Sequence, residues 1–355
     1  MPATENSAAD KKYTERKRQS IPVSAERLHI MTDRTGLRIA ATGSAVPDRQ
    51  VTNNDLKQYM ETDDEWIYTR TGIRSRGFCE EGKESCTTLA VLAAKRALED
   101  AGDSIEGFST DQIGAVLATT CSAEYMLPSI ASMVQAELGL HREILAYDLN
   151  AACSGFVFGM ITAQSLMRSM GLRYVLLIST EQLSKQLELS DRSTGILFGD
   201  GAGAVLLELT EEPGCIGFTA SAFSNGNIPA IYCKGAGADE QVIRMNGHEV
   251  FRFAAGVVPD TINGLLQDSG LELKDIDYIL CHQANGRIID TVRKKFRGYE
   301  EKFLMNIENR GNTSSASIPL LIDEMKRKGV IKSGMRLMCV GFGAGLAWGG
   351  AMINI

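Results

Sequence analysis

Apolar and polar positions along this chain switch between two periods. Short apolar runs predict strands, and longer stretches with three-to-four spacing predict helices. Leu37 to Gly43 reads as a strand, with Pro47 marking the turn after it. Thr88 to Asp100 has a helical apolar face and stops at Ala101-Gly102. Ile113 to Thr119 reads as a strand, Pro128 to Leu138 as a helix closed by Gly139, and Glu143 to Leu149 as a strand. A helix from about Ser154 to Met170 ends at Gly171, and Tyr174 to Ser179 and Ala202 to Leu209 are further strands. The order then repeats. A helix through Val257 to Asp268 ends at Ser269-Gly270, Asp275 to Cys281 reads as a strand, Ile318 to Lys328 as a helix and Met335 to Val340 as a strand. Phe198-Gly-Asp-Gly-Ala-Gly203 is echoed by Phe342-Gly-Ala-Gly-Leu-Ala-Trp-Gly349, each placed before a closing apolar strand. The alternation predicts α/β layers with mostly parallel pairing. The matched order predicts a duplication, with halves at 36–210 and 211–355. Two unrelated α/β domains of generic order are the alternative.

The helix from Ser154 is apolar nearly all round (Phe156, Val157, Phe158, Met160, Ile161, Leu166, Met167), the mark of a buried helix. Cys153 therefore sits at a helix N-terminus in the middle of the molecule. Free N–H groups and the positive dipole end favour a thiolate there, with the pKa expected to fall from about 8.5 toward 3.5–7.5. A cysteine packed inertly would occupy the same place. His282, one of four histidines, follows the apolar run Tyr278-Ile-Leu-Cys281, where a catalytic loop residue or a structural histidine both fit. Asn312 lies in the turn-rich Arg310-Gly-Asn-Thr-Ser-Ser and serves equally as a turn residue. Together the three suit a nucleophile with partners, distant in sequence and adjacent in space. A papain-like Cys–His–Asn hydrolase has the same composition. Its local sequence around the cysteine is absent here, and the doubled α/β order does not fit its fold.

Composition narrows the class. The 355 residues carry a formal charge of -7, which argues against nucleic acid as a main partner. No apolar run is long enough for a membrane span. Eight cysteines without a CxxC pair suit neither a zinc knuckle nor a thioredoxin-type motif, and the expected compartment is the reducing cytoplasm. Residues 1–35 are polar, with Lys11, Lys12, Arg16, Lys17 and Arg18 and no signal-peptide core, and are expected to form a disordered tail.

Several motifs occur in a fixed order: Asp64-Glu-Trp-Ile-Tyr-Thr-Arg70-Thr-Gly-Ile-Arg74, Asn150-Ala-Ala-Cys153-Ser-Gly-Phe156, Phe198-Gly-Asp-Gly-Ala-Gly203, His282-Gln-Ala-Asn285, Gly311-Asn-Thr-Ser-Ser-Ala-Ser-Ile-Pro319 and Gly341-Phe-Gly-Ala-Gly-Leu-Ala-Trp-Gly349. On these the chain, from about Leu37 onward, resembles the β-ketoacyl-acyl carrier protein synthase III family of the thiolase superfamily. The resemblance implies a five-layer αβαβα fold of two similar halves, a homodimer without metal, and no cofactor beyond the substrates acyl-CoA and malonyl-acyl carrier protein. It implies that Cys153 takes the acyl group and that His282 and Asn312 stabilise charge on the malonyl thioester oxygen. The backbone N–H groups of Cys153 and Ala344 would form the acyl oxyanion hole. Trp66, Arg70, Arg192 and Asn285 would bind CoA, and Phe198, Phe342 and the partner's Leu127 would line the acyl pocket. Arg252, Arg287, Lys294 and Lys295 would receive the carrier protein. Gly286 departs from the pattern, since many relatives carry a bulkier apolar residue there. Specialised synthases of polyketide, biotin-precursor or branched-lipid assembly share these motifs. A biosynthetic thiolase would need a second cysteine near the C-terminal glycine-rich turn, and Cys339 is expected in the core instead. A non-catalytic acyl-binding subunit would usually lack the nucleophile.

Overall fold

The computed structural model describes residues 36–210, 219–235 and 237–355; the expected tail at 1–35 lies outside them. In chain order the elements begin with β1 (Gly36–Ala45), β2 (Gln50–Thr52), α1 (Asp64–Thr71), β3 (Ser75–Gly77), α2 (Cys86–Ser104), β4 (Ile113–Thr119), α3 (Ile130–Glu137) and β5 (Leu145–Leu149). They continue with α4 (Gly155–Met170), β6 (Tyr174–Glu181), β7 (Gly201–Thr210), β8 (Thr219–Ser224), β9 (Ile231–Cys233), β10 (Ile243–Met245) and α5 (Gly247–Ser269). The last are β11 (Tyr278–Cys281), α6 (Gly286–Arg293), α7 (Ile307–Arg310), α8 (Ser317–Arg327), β12 (Arg336–Gly343) and β13 (Ala347–Asn354). The predicted order stands, and the ends move outward where caps decide them. Helix α2 starts at its Ser85 cap, whose side chain accepts from the Thr88 N–H while Thr88 reaches back, and α5 starts at its Asn246 cap, ten residues before the predicted stretch.

The duplication is visible in strand order. The first half runs β5-β4-β6-β7-β1, with β4 parallel to β5 and β6, and β7 antiparallel to both neighbours. The second runs β11-β12-β13-β8 with the same parallel-then-antiparallel sense, and Phe303 adds a short parallel bridge to Ile279 on β11 where β5 has its counterpart. The halves join where Arg38 on β1 pairs with Asn354 on β13.

Successive side chains of a strand face opposite ways, so a strand covered on both sides is apolar throughout. Strand β6 is buried along its length. Its Val175 and Leu177 face the central layer, where α4 (Phe156, Val157, Met160) and α8 (Ile318, Leu321, Ile322) pack between residues of both halves. Its Tyr174, Leu176 and Ile178 face α2 and α3. On the far side α5 and α6 cover β11 and β12 through Ile279, Met338 and Val340. The result is the five-layer αβαβα arrangement of the thiolase-like fold, with the N-terminus of α4 at its centre.

Candidate active site

The chain leaves β5 at Leu149 and enters a 3-10 turn at Ala152–Ser154 before α4. Ala152 is held at φ 45°, a left-handed conformation that costs a non-glycine residue about 1–3 kcal/mol. The kink is paid for by its surroundings: the Ala152 N–H donates to Asn150 Oδ1 at 3.1 Å, and Ser154 Oγ donates to the Ala347 carbonyl of β13 at 3.1 Å. It sets Cys153 beside an α4 first turn that has no side-chain cap.

Across from Cys153 runs β12. Gly343 comes so close that a Cβ on it would lie 2.6 Å from Cys153 Cβ and 3.0 Å from its sulfur. Burial acts most strongly on the Cys153 thiol, and against it work the nearby Ser314 hydroxyl and the N–H groups of Cys153 and Ala344. These donors favour the thiolate, but burial outweighs them and pushes the thiol up to about 12. The expectation of a depressed pKa is corrected on this point. Cys153 is 7% exposed, and loss of water stabilising the anion exceeds what the helix end returns.

His282 ends β11 and is buried, with burial lowering its pKa to about 3. Its Nδ1 lies 2.8 Å from Ser317 Oγ, which also accepts the Gln283 N–H at 3.3 Å. When Ser317 donates to Nδ1 the ring proton sits on Nε2, the tautomer that can donate into the cavity. The ring packs edge-on against Phe342 at 5.2 Å. Asn312 is tied to the loop before β7 by two backbone bonds, its N–H to the Leu197 carbonyl at 2.8 Å and the Gly199 N–H to its own carbonyl at 3.0 Å. Its Oδ1 accepts from the Ser314 N–H at 2.9 Å, so its Nδ2 is the end able to donate elsewhere. Ser314 is also left-handed, at φ 48°.

Cys153, His282, Asn312 and Phe342 line one cavity of about 530 Å³. Trp66, Arg70, Arg192, Asn285 and Arg287 line the same cavity. The guanidinium carbons of Arg70 and Arg192 lie 4.3 and 3.9 Å from the Trp66 ring centroid. Asn285 also bonds within the chain: its Nδ2 donates to the Arg70 carbonyl at 3.1 Å and its Oδ1 caps α6 through the Arg287 N–H. It fastens α1 to α6. Gly286 belongs to the same contact, since a Cβ there would stand 3.0 Å from the Thr71 carbonyl oxygen.

Other expected residues lie off the cavity lining. Phe198 is buried beside Leu183 and Ile196 in a neighbouring apolar cluster. Leu127 is 85% exposed on the surface of this chain, next to the exposed Tyr125 and Met126. Arg252, Lys294 and Lys295 are exposed, Arg252 against His248 and Lys295 donating to the Ala255 carbonyl. Cys339 is core, as expected. Ser314 and Ser317 escaped sequence reasoning. The available signal was three serines packed into the polar run immediately before the apolar face of α8. Among the described residues no helix is long and apolar enough to cross a membrane, and no cluster of three His, Cys, Asp or Glu is built to hold a metal.

A doubled α/β fold with a buried cysteine on its central helix, faced by His and Asn, defines a thiolase-like condensing enzyme, an acyltransferase. Comparison with known proteins narrows this. The C-terminal family model for 3-oxoacyl-[acyl-carrier-protein] synthase III matches residues 266–355, and its companion model matches 147–226. The β-ketoacyl-[acyl-carrier-protein] synthase III of Clostridium acetobutylicum is 40% identical over 327 residues, covering 90% of this chain and 98% of the relative. The crystal structure of the synthase III from Aquifex aeolicus superposes with a TM-score of 0.83 at 34% identity, covering 90% of this chain and 100% of that one. A priming β-ketosynthase of the R1128 polyketide pathway superposes equally well at 31% identity, with 91% and 97% covered. The chain belongs to the β-ketoacyl-[acyl-carrier-protein] synthase III family and is a condensing enzyme that initiates fatty-acid synthesis.

Proposed function

We propose that this chain joins an acyl group from acyl-CoA, acetyl in the simplest case, to malonyl-acyl carrier protein. Cys153 attacks the acyl-CoA thioester and CoA leaves as a thiolate. The N–H groups of Cys153 and Ala344 hold the thioester oxygen as it becomes an oxyanion. Malonyl-acyl carrier protein then enters, loses CO2, and its enolate attacks the acyl-Cys153. His282 Nε2–H and Asn312 Nδ2–H donate to the enolate oxygen, and losing one such donor costs about 2.7–4 kcal/mol of barrier. A neutral imidazole is the form this role needs, and its burial supports that. Trp66 stacks on the adenine and Arg70 and Arg192 attract the phosphates, while Asn285 acts by fixing α1. Arg252, Arg287, Lys294 and Lys295 receive the acidic carrier protein, a local basic face on a chain of net charge -7. The exposed Tyr125-Met126-Leu127 segment and the edge strand β5 suit a homodimer in which the partner's copy of this segment closes the acyl pocket. The same reading divides the chain into halves at 36–210 and 211–355.

The convergence of Cys153, His282 and Asn312 in a single cavity carries this reading. The test is a panel of straight, branched and carboxylated acyl-CoAs, each followed by malonyl-acyl carrier protein. At least one should add its acyl mass to the Cys153 peptide and then yield 3-oxoacyl-carrier protein. Failure of every acyl-CoA to label Cys153 overturns it.

A further inference from the structure

Arg76, on β3, is among the largest side chains that the fold buries completely. Among the described residues no carboxylate pairs with it, and its Nε has no hydrogen-bond partner. Asp64 is taken by Arg74 and by Asn53 Nδ2, at 2.6 and 2.9 Å. The guanidinium donates to neutral oxygens instead. Its Nη1 donates to Asn53 Oδ1 at 2.9 Å and to the Val51 carbonyl at 3.3 Å, and its Nη2 to the Ile196 carbonyl at 2.7 Å. Burial pulls its pKa down to about 10, so it stays charged at neutral pH. A guanidinium is a rigid planar fork, and here it fixes oxygens in two directions at once. On one side is β2 with the Asn53 that follows it; on the other is the segment 196–200 that leads into β7.

That segment is what holds Asn312. The Asn312 N–H donates to the Leu197 carbonyl at 2.8 Å, the Gly199 N–H donates to the Asn312 carbonyl at 3.0 Å, and Phe198 and Asn312 pair as a short parallel bridge. The stem of Arg76 lies against both strands of this small ladder. A Cβ on Gly199 would stand 2.9 Å from Arg76 Cβ, and a Cβ on Gly311 would stand 3.1 Å from it. The next residue of β3 holds the other end of the segment, since the Gly77 carbonyl accepts the Asp200 N–H at 2.9 Å. Ile196, Leu197 and Asn312 line the cavity of Cys153, whereas Arg76 lies behind that lining.

We propose that Arg76 is a positioning residue for malonyl decarboxylation: it clamps the segment 196–200 and so sets where the Asn312 amide stands against the enolate oxygen. Asn312 Oδ1 is held by the Ser314 N–H two residues on, so the direction of Nδ2 follows the local backbone, and that backbone follows the ladder. Cys153 hangs from a different set of elements, the turn after β5 and the close approach of β12. Loss of the clamp therefore reaches the second half of the reaction and spares the first.

The inference rests on the proposed role of Asn312. Its test compares wild type, Arg76→Met, Arg76→Lys, Asn312→Ala and the double variant Arg76→Met/Asn312→Ala in two single-turnover assays at saturating substrate. One follows acetyl transfer from acetyl-CoA to Cys153 by intact mass; the other follows CO2 release from malonyl-acyl carrier protein by the acetylated enzyme. Methionine keeps an apolar stem and loses the fork. It should slow CO2 release by on the order of 10²-fold, the cost of roughly 1 Å of misplacement, and leave acetyl transfer at the wild-type rate. Lysine keeps the charge but brings a single nitrogen, so its CO2 release should fall between those of arginine and methionine. In Asn312→Ala the donor is already gone, and Arg76→Met should slow CO2 release no further, because residues that act through one another do not add. A purely structural Arg76 would depress both assays together or add its full loss in both backgrounds. Either result overturns the inference, as does a folded Arg76→Met with wild-type CO2 release. If Arg76→Met fails to fold, Arg76→Lys decides by the same split between the two assays. Wild type that neither acylates nor releases CO2 would instead sink the proposed function.

Discussion

Replacing Gly343 by alanine tests the site at its tightest point. Gly343 has no left-handed φ, so its backbone accepts alanine and the objection is space alone. The new methyl would lie 2.6 Å from Cys153 Cβ and 3.0 Å from the sulfur. Carbon atoms at rest keep about 3.5–4.0 Å, so β12 and the α4 N-terminus must part by roughly 1 Å. Overpacking of this kind costs about 1–3 kcal/mol of stability. The chemical cost is larger in proportion, because a misplacement of about 1 Å between reacting groups can cost on the order of 10²-fold. The same shift also separates the Ala344 N–H from the oxygen it is proposed to hold. Intact-protein mass spectrometry of the acyl-enzyme, run beside calorimetry, separates the two effects. The expected outcome is a folded protein with a modestly lower Tm and acylation slowed by about two orders of magnitude. An alanine variant that folds and acylates at the wild-type rate would refute the placement of Gly343 against the nucleophile.

Further outcomes follow from the same geometry. Ser317→Ala removes the group that fixes the His282 tautomer; it should slow malonyl decarboxylation by up to roughly tenfold, the worth of one ordinary hydrogen bond, and leave acyl-enzyme formation intact. Trp66→Ala should raise KM for acyl-CoA by about 5- to 150-fold, the range of 1–3 kcal/mol for one base stack, with little change in kcat, as steady-state kinetics will read. The low pKa of His282 makes stability fall with acid. The unfolded chain takes up this proton near pH 6.5 and the folded chain only near 3, so the contribution is complete above 6.5 and lost between 6.5 and 3, with about 2 kcal/mol gone at pH 5. Urea unfolding of His282→Asn should show a correspondingly shallower acid slope than wild type, and an identical slope counts against a neutral buried His282. Leu127→Asp places a charge on the exposed apolar segment and should shift the proposed dimer toward monomer in sedimentation, with a fully dimeric variant ruling this segment out as the interface.

The positions of chemical interest were legible for different reasons. Cys153 announced itself because a helix apolar on all sides must be buried, and a cysteine at its start inherits the helix end. His282 was visible as a rare residue after a short apolar strand. The doubling was legible because both halves repeat the same run of periods and the same glycine-rich echo. Asn285 has a structural duty that the sequence hides: only the approach of α1 to α6 brings its amide to the Arg70 carbonyl.

Local periodicity alone therefore determined which segments form strands and helices, their order, and that the order is repeated. Those properties depend on neighbours within a few residues, and one chain written linearly contains them. Tertiary structure decided the protonation of the site and the partners of each polar atom. Whether Cys153 is a thiol or a thiolate depends on how completely two layers of sheet exclude water from it. Whether Ser314 serves Cys153, Cys121 or solvent depends on contacts between residues nearly two hundred positions apart, which no local pattern encodes.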